Sequence, residues 1–375
     1  MKSVYGEFYN PTKALSYKRP YIFSIGVRSI GKTTGWMIHL VLEAVKKDRH
    51  FIYLRRTENE LRETAPTAIQ DACAIINRYY KKNLIKSWSY KNGKYYINDV
   101  LVGYAVPLSL EAKHKSVNYS DVWYILYDEF LVRSGKYLGS KETPYYEMDC
   151  VESLFQTVDR GVDRPWRNET TMIFVGNNST YYNPVFIRLG IDKYLTMNTK
   201  YLAPKDKLWV VEQTLGVAAT KEVEKSNAYQ LAGERTKQYA FRGGLDDKVF
   251  IEQPVGKLTP MFNIVYKSDK FGVYLDEECC MYVSTKYIKD ENKVYTYALT
   301  ASDHKPNYIL SKINLPNIKL LKECYHRGNI KFENGKCKFI INSYFMFDIG
   351  WMVCYNKGTK NQYSYFTHCY RESLL

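Results

Sequence analysis

Residues 26–33 read Gly26-Val27-Arg28-Ser29-Ile30-Gly31-Lys32-Thr33, a complete G-x-x-x-x-G-K-[ST] phosphate-binding pattern. Just before it, Pro20-Tyr21-Ile22-Phe23-Ser24-Ile25 is a short apolar run of buried-strand type, and residues 34–45 just after it place apolar side chains at helical spacing. A loop between a strand and a helix is the context that gives the pattern chemical meaning. Backbone N–H groups from Gly26 to Thr34, with the positive end of the helix behind them, form a cradle for the phosphates of ATP. Arg28, Ser29, Ile30, Gly31 and Thr34 are expected to contact the nucleotide. Lys32 is placed to reach the β- and γ-phosphates, and the Thr33 hydroxyl to ligate Mg²⁺. A glycine-punctuated turn is the alternative for these eight residues alone; the flanking strand and helix argue against it.

The chain has 375 residues, 45% of them hydrophobic, enough for two folded cores. Lys and Arg number 54 against 39 Asp and Glu, a formal charge of +15 that points to a polyanionic partner without separating DNA from RNA. An acidic membrane surface would attract the same charge. However, the sequence has no long apolar span, and Met1-Lys2-Ser3-Val4-Tyr5-Gly6-Glu7 lacks a signal-peptide core, so a cytosolic protein is expected. The eight cysteines form no C-x-x-C pair, and neither Cys324-Tyr325-His326 nor His368-Cys369 has the spacing of a structural zinc site. Reduced, mostly buried thiols are the expectation.

Outward from the loop, residues 50–54 form a second buried strand, followed by Arg55-Arg56 and a helical stretch over residues 58–82, a βαβ-like beginning. Residues 85–90 and 94–97 flank Asn92-Gly93, a pair suited to a tight hairpin turn. Strands are expected at 101–106, at 122–127 ending in Asp128-Glu129, and at 170–175 ending in Gly176-Asn177. Short apolar strands with polar carboxyl ends fit a largely parallel sheet whose ligand site lies at those ends. The expected ATPase domain covers residues 1–205. A charged, partly helical linker covers 206–247, and a second α+β domain covers 248–375. In the last, strands are expected at 249–252, 262–266, 272–275 and 281–284, a helix over 307–325, and strands around Phe339 and Met352.

An apolar strand ending in two carboxylates is what an additional-strand phosphate-loop ATPase sets opposite its loop. Asp128 would hold Mg²⁺ and Glu129 would polarise the attacking water as general base. Asn177 reads equally as a residue that senses the γ-phosphate or orients the water and as a turn residue. Arg160, in Leu154-Phe155-Gln156-Thr157-Val158-Asp159-Arg160, stands at a helix end from which it would project into a neighbour's site as an arginine finger; Arg164, Arg167 and a plain surface role compete with that reading. Lys113-His114-Lys115 reads as a solvated loop, a second trans-acting cation or a DNA contact, and Lys91 and Lys94 as hairpin-edge protection or phosphate contacts.

Phe8-Tyr9-Asn10-Pro11, residues 26–33, Phe51-Ile52-Tyr53-Leu54-Arg55-Arg56, residues 104–109, Ile125-Leu126-Tyr127-Asp128-Glu129-Phe130 and residues 249–252 occur in an order that resembles the DNA-packaging motor ATPase of small short-tailed bacteriophages, a relative of terminase large subunits. The resemblance implies an additional-strand ATPase domain, a linker, and a C-terminal domain resembling an RNase H-like nuclease. As partners it implies double-stranded DNA, a capsid portal protein, a structural packaging RNA in the best-known relatives, and further copies of the chain in a ring, a pentamer. The setting is the cytoplasm of an infected bacterial host, transiently on the procapsid vertex. Arg160 matches the family's trans-acting arginine within Thr157-Val158-Asp159-Arg160, and Lys115 a basic loop position near the subunit interface, whereas Thr57-Glu58 depart from the basic residues expected after Arg55-Arg56. Residues 262–266 lack a central Asp, so a vestigial nuclease fold that binds nucleic acid or the portal is favoured over an active one. A helicase-like ATPase acting on single strands and a non-hydrolysing nucleic-acid-binding scaffold are the rival readings.

Overall fold

The structure, a computed structural model, describes residues 3–6, 8–28, 30–81, 83–132, 137–138, 146–160, 169–177, 183–191, 194–195, 200–214, 227–232, 237, 253–266, 268–290, 294–310, 315–327, 329–341 and 344. The chain divides into two units, one of residues 1–138 with 147–246 and the other of residues 139–146 with 247–375.

The first unit is built on a nine-stranded sheet in the order β3-β4-β5-β2-β6-β7-β1-β9-β8. The strands are β1 Tyr21–Gly26, β2 His50–Arg55, β3 Trp88–Lys91, β4 Lys94–Ile97, β5 Val100–Pro107, β6 Val122–Asp128, β7 Thr171–Asn177, β8 Tyr201–Leu202 and β9 Trp209–Thr214. Strands β5, β2, β6, β7, β1 and β9 are parallel, and antiparallel pairs close the two edges. Continuous apolar runs are what a parallel sheet covered on both faces needs. Alternate residues of one strand accordingly enter different cores: Phe51 and Tyr53 join one, Ile52 and Leu54 the other. Helices α2 (Lys32–Lys47), α3 (Glu58–Thr64) and α4 (Gln70–Tyr80) contribute to the first core, and α6 (Tyr146–Asp159) and α7 (Pro184–Leu189) to the second. Two short helices, α1 (Thr12–Leu15) and α5 (Glu111–His114), also belong to this unit.

Two expectations for this unit change. The stretch over 58–82 is not one helix: Pro66 lies in a 3₁₀ turn, Ala65–Thr67, between α3 and α4. Proline lacks the N–H that a continuing helix requires. The sheet also runs past residue 205, because β9 pairs with β1 in parallel from Tyr21↔Trp209 to Gly26↔Thr214. Beyond it, the expected linker is described only at 227–232 and 237, with a helical turn at Asn227–Gln230.

The second unit holds a six-stranded sheet, β14-β13-β10-β11-β12-β15, made of β10 Thr259–Tyr266, β11 Asp269–Leu275, β12 Met281–Ser284, β13 Thr296–Ala298, β14 Ile309–Leu310 and β15 Ile330–Phe332. An antiparallel trio, β12-β11-β10, is continued by parallel β13 and β14, the arrangement of an RNase H-like sheet. The helix expected at 307–325 begins only at Pro316, where proline suits the first turn, and Ile309–Leu310 form β14 instead. Phe339 lies in helical residues 335–341, not in a strand; with Leu321 and Ile340 buried nearby, a helical apolar face fits this stretch. The expected strands at 249–252 and around Met352 lie outside the described residues.

Candidate nucleotide site

The carboxyl ends of β1, β6 and β7 converge on one pocket lined by Arg28, Gly31, Lys32, Thr33, Thr34, Asp128, Glu129, Val175, Gly176 and Asn177. The order β6-β7-β1 places β7 between the strand that feeds the phosphate loop and the strand that ends in the two carboxylates. Asn177 at its tip therefore stands between loop and acids. Of the expected nucleotide contacts, Gly26 and Ile30 do not line this pocket, and Ser29 lies outside the described residues.

Two glycines of the loop are required for different reasons. Gly31 caps α2 at φ +70°, and a Cβ there would stand 2.5 Å from Phe8 Cδ1. Gly26 lets β1 approach β9; a Cβ would meet Thr214 Oγ1 at 1.8 Å and the Thr214 carbonyl at 2.4 Å. Its role here is strand packing, a contact absent from the local motif.

Lys32 is buried and donates from Nζ to the Val27 carbonyl at 2.5 Å and to Asn177 Oδ1 at 3.4 Å. Burial lowers its pKa to about 8, against the opposing pull of Glu129 and Asp128. Thr33 Oγ1 donates to Asp128 Oδ1 at 2.8 Å. That separation is close to the roughly 3.0 Å between neighbouring oxygens of an octahedral Mg²⁺ with ligands at about 2.1 Å, so hydroxyl and carboxylate fit one divalent cation. The other Asp128 oxygen accepts from Tyr53 Oη at 3.0 Å and Arg55 Nη1 at 3.1 Å, both on β2. Tyr53 and Arg55 carry no metal-site signal in the sequence; only the pairing of β2 with β6 brings them to Asp128.

Glu129 occupies the first residue after β6 at φ +56°, in the left-handed region. Burial raises its carboxyl pKa and the neighbouring Asp128 adds to the rise, while Arg55, Arg28 and Lys32 oppose it. Asn177 Nδ2 donates to Glu129 Oε1 at 3.3 Å. A basic carboxylate oriented by a fixed amide suits proton abstraction from water.

Arg160 does not enter this pocket. It follows the last residue of α6, is exposed, and donates from Nη2 to the Lys115 carbonyl. The other end of α6 lies beside the site, since Glu147 pairs with Arg56 at 2.8 Å, and thirteen residues of helix carry the chain about 20 Å away. The structure thus joins Arg160 to Lys115 at the end of α6 opposite Glu147, and neither lines the pocket.

In the second unit, Asp276, Glu278 and Cys280 converge, but Lys331 Nζ lies 2.9 Å from Asp276 Oδ2 and 2.8 Å from Glu278 Oε2. An ammonium neutralises this acidic group. The centre of β10 carries Asn263, fully buried, its amide bonded to the backbone of Ile288.

A strand-loop-helix with opposed carboxylates across an inserted strand defines a phosphate-loop protein of the additional-strand class. The chain belongs to the podovirus DNA encapsidation protein (Gp16) family, whose model matches residues 2–348. It is 28% identical over 338 residues to the DNA packaging protein of Bacillus phage phi29, covering 87% of this chain and 93% of that relative. To the DNA packaging protein of Bacillus phage B103 it is 29% identical over 328 residues, covering 85% and 94%. Among solved structures it is similar to the bacteriophage Phi-29 viral genome packaging motor assembly, with a TM-score of 0.66 and 25% identity over 91% of this chain and 99% of that one.

Proposed function

We propose that this chain hydrolyses ATP with Mg²⁺ to drive double-stranded DNA into a viral procapsid, working as a homo-oligomeric ring on the portal vertex. The observation that carries the reading is the Thr33–Asp128 contact, with Lys32, Glu129 and Asn177 lining the same pocket. Thr33 and Asp128 would hold a divalent cation, which would supply positive charge to the nucleotide's phosphates. Lys32 binds the phosphates, Glu129 takes the proton from the attacking water, and Asn177 orients Glu129. Arg160 serves a neighbour's site, since its place at the far end of α6 removes it from its own. The charge of +15 suits sequence-independent contact with a phosphate backbone.

The second unit is assigned to binding nucleic acid or the portal rather than to cleaving DNA. Two-metal cleavage needs converging carboxylates free to take cations, whereas Asn263 stands in mid-strand and Lys331 pairs Asp276 and Glu278.

Steady-state hydrolysis with duplex DNA, with single strands and without nucleic acid tests the reading, using the native chain, Lys32→Ala and Glu129→Gln. Duplex stimulation abolished by both substitutions is the expected result. Stimulation by single strands alone would favour a helicase-like enzyme, and nucleotide binding without turnover a scaffold.

A further inference from the structure

We propose that Arg56 is the positioning residue for Glu129: it holds the backbone at Glu129 and Phe130 so that the Glu129 carboxylate faces the phosphate loop, with Glu147 as the buried carboxylate that orients Arg56. The inference rests on Glu129 being the residue that activates water.

Glu129 is not a glycine, yet its φ of +56° is one that side-chain-bearing residues rarely adopt without support. Three hydrogen bonds converge on this turn. Arg56 Nη1 donates to the Glu129 carbonyl at 3.4 Å, Arg56 Nη2 to the Phe130 carbonyl at 2.7 Å, and the Phe130 N–H to the Val175 carbonyl at 3.2 Å. Two of the three come from one guanidinium.

The rest of that guanidinium is held just as closely. Nε and Nη2 donate to the two Glu147 oxygens at 2.8 and 2.9 Å, and Glu147 also accepts from Tyr127 Oη and from the Leu138 N–H, each at 2.7 Å. Arg56 is 3% exposed and Glu147 is not exposed at all. A planar fork in that position can bind a carboxylate along one edge and two carbonyls along the other, which a single ammonium cannot do. Arg56 does not line the nucleotide pocket, so its effect on chemistry passes through Glu129. The neighbouring Arg55 touches Asp128 instead, and the adjacent arginines thus serve the two adjacent acids by different routes.

The test measures Mg·ATP affinity, single-turnover hydrolysis and thermal melting for the full native chain, Glu129→Gln, Arg56→Lys and the paired change Arg56→Met with Glu147→Met. The native chain and Glu129→Gln examine the underlying reading separately. If the native chain binds ATP without turnover, or Glu129→Gln is as fast, Glu129 is not the base and the proposal falls with that reading. Given an active native chain and a slow Glu129→Gln, Arg56→Lys and the methionine pair should bind ATP within about threefold of the native affinity and hydrolyse it at least about tenfold more slowly. The methionine pair keeps the volume filled and leaves no buried charge unpaired, so it carries the test if Arg56→Lys does not fold. A folded variant with native turnover overturns the proposal. So does a parallel loss of affinity and rate, or failure of both variants to fold, either of which marks the pair as structural only.

Discussion

At the residue scale, two groups of the pocket are moved off their ordinary pKa values in opposite directions, and the proposed chemistry depends on both. Glu129 is raised by burial and by Asp128, so it takes up a proton at a pH above the usual carboxylate range and is a base only above that. Lys32 is lowered to about 8, so the free protein loses the ammonium proposed to bind phosphate as the pH rises through that value. The dependence of kcat/KM on pH should therefore be bell-shaped, its acid limb displaced upward and its alkaline limb near 8. Glu129→Gln should remove the acid limb from the residual activity, and an acid limb that survives would assign it to another group. Gly26 supports a second prediction, about stability. Gly26→Ala places a methyl against the Thr214 carbonyl, which only movement of β1 away from β9 relieves. A loss of about 1–3 kcal/mol is expected in urea unfolding. Thr214→Ala should recover only part of it, because the backbone oxygen stays.

At the scale of elements, α3 illustrates how local chemistry serves the site. Thr57 caps it, accepting from the Glu60 N–H at 3.3 Å while Glu60 Oε2 accepts from the Thr57 N–H at 3.4 Å, a reciprocal capping box directly after Arg55-Arg56. Thr57→Ala should cost about 1 kcal/mol in unfolding by urea. Hydrogen exchange at the amides of residues 58–61 should rise with it, and unchanged exchange there would place the cap's contribution elsewhere. The phosphate loop between its strand and helix and the carboxylates at the end of β6 are visible in the sequence. These are signals within a single element, or between one element and the next. Strand β9 was hidden because its partner β1 lies nearly two hundred residues earlier, and its apolar run follows a charged, proline-containing stretch that reads as the start of a linker. The same reason kept Tyr53, Arg55 and the Arg56–Glu147 pair out of reach. Their partners are 73 to 91 residues distant, and no spacing rule connects a buried arginine to a helix it has not yet been folded against.

At the scale of the whole molecule, the separation of Arg160 from its own pocket becomes a statement about assembly. On the proposed reading, an arginine that stands outside its own chain's pocket acts on another copy. In a head-to-tail ring each copy offers one pocket and one arginine to different neighbours. Lys32→Ala then disables a pocket and leaves the arginine intact, while Arg160→Ala does the reverse. Each variant alone should be nearly inactive in duplex-stimulated hydrolysis. Mixed in equal amounts before assembly, they should regain activity, because a native pocket on one copy meets a native arginine on the next. Random mixing with independent sites predicts roughly a quarter of the native rate, the chance that both halves of an interface are the competent ones. No recovery on mixing would place Arg160 outside the neighbour's site, and full activity of Arg160→Ala alone would return it to the surface. Salt separates this from loss of DNA contact. A phosphate-contacting arginine, once removed, lowers the slope of log affinity against log salt by about one, whereas an arginine acting on a neighbour's ATP leaves that slope unchanged while hydrolysis falls.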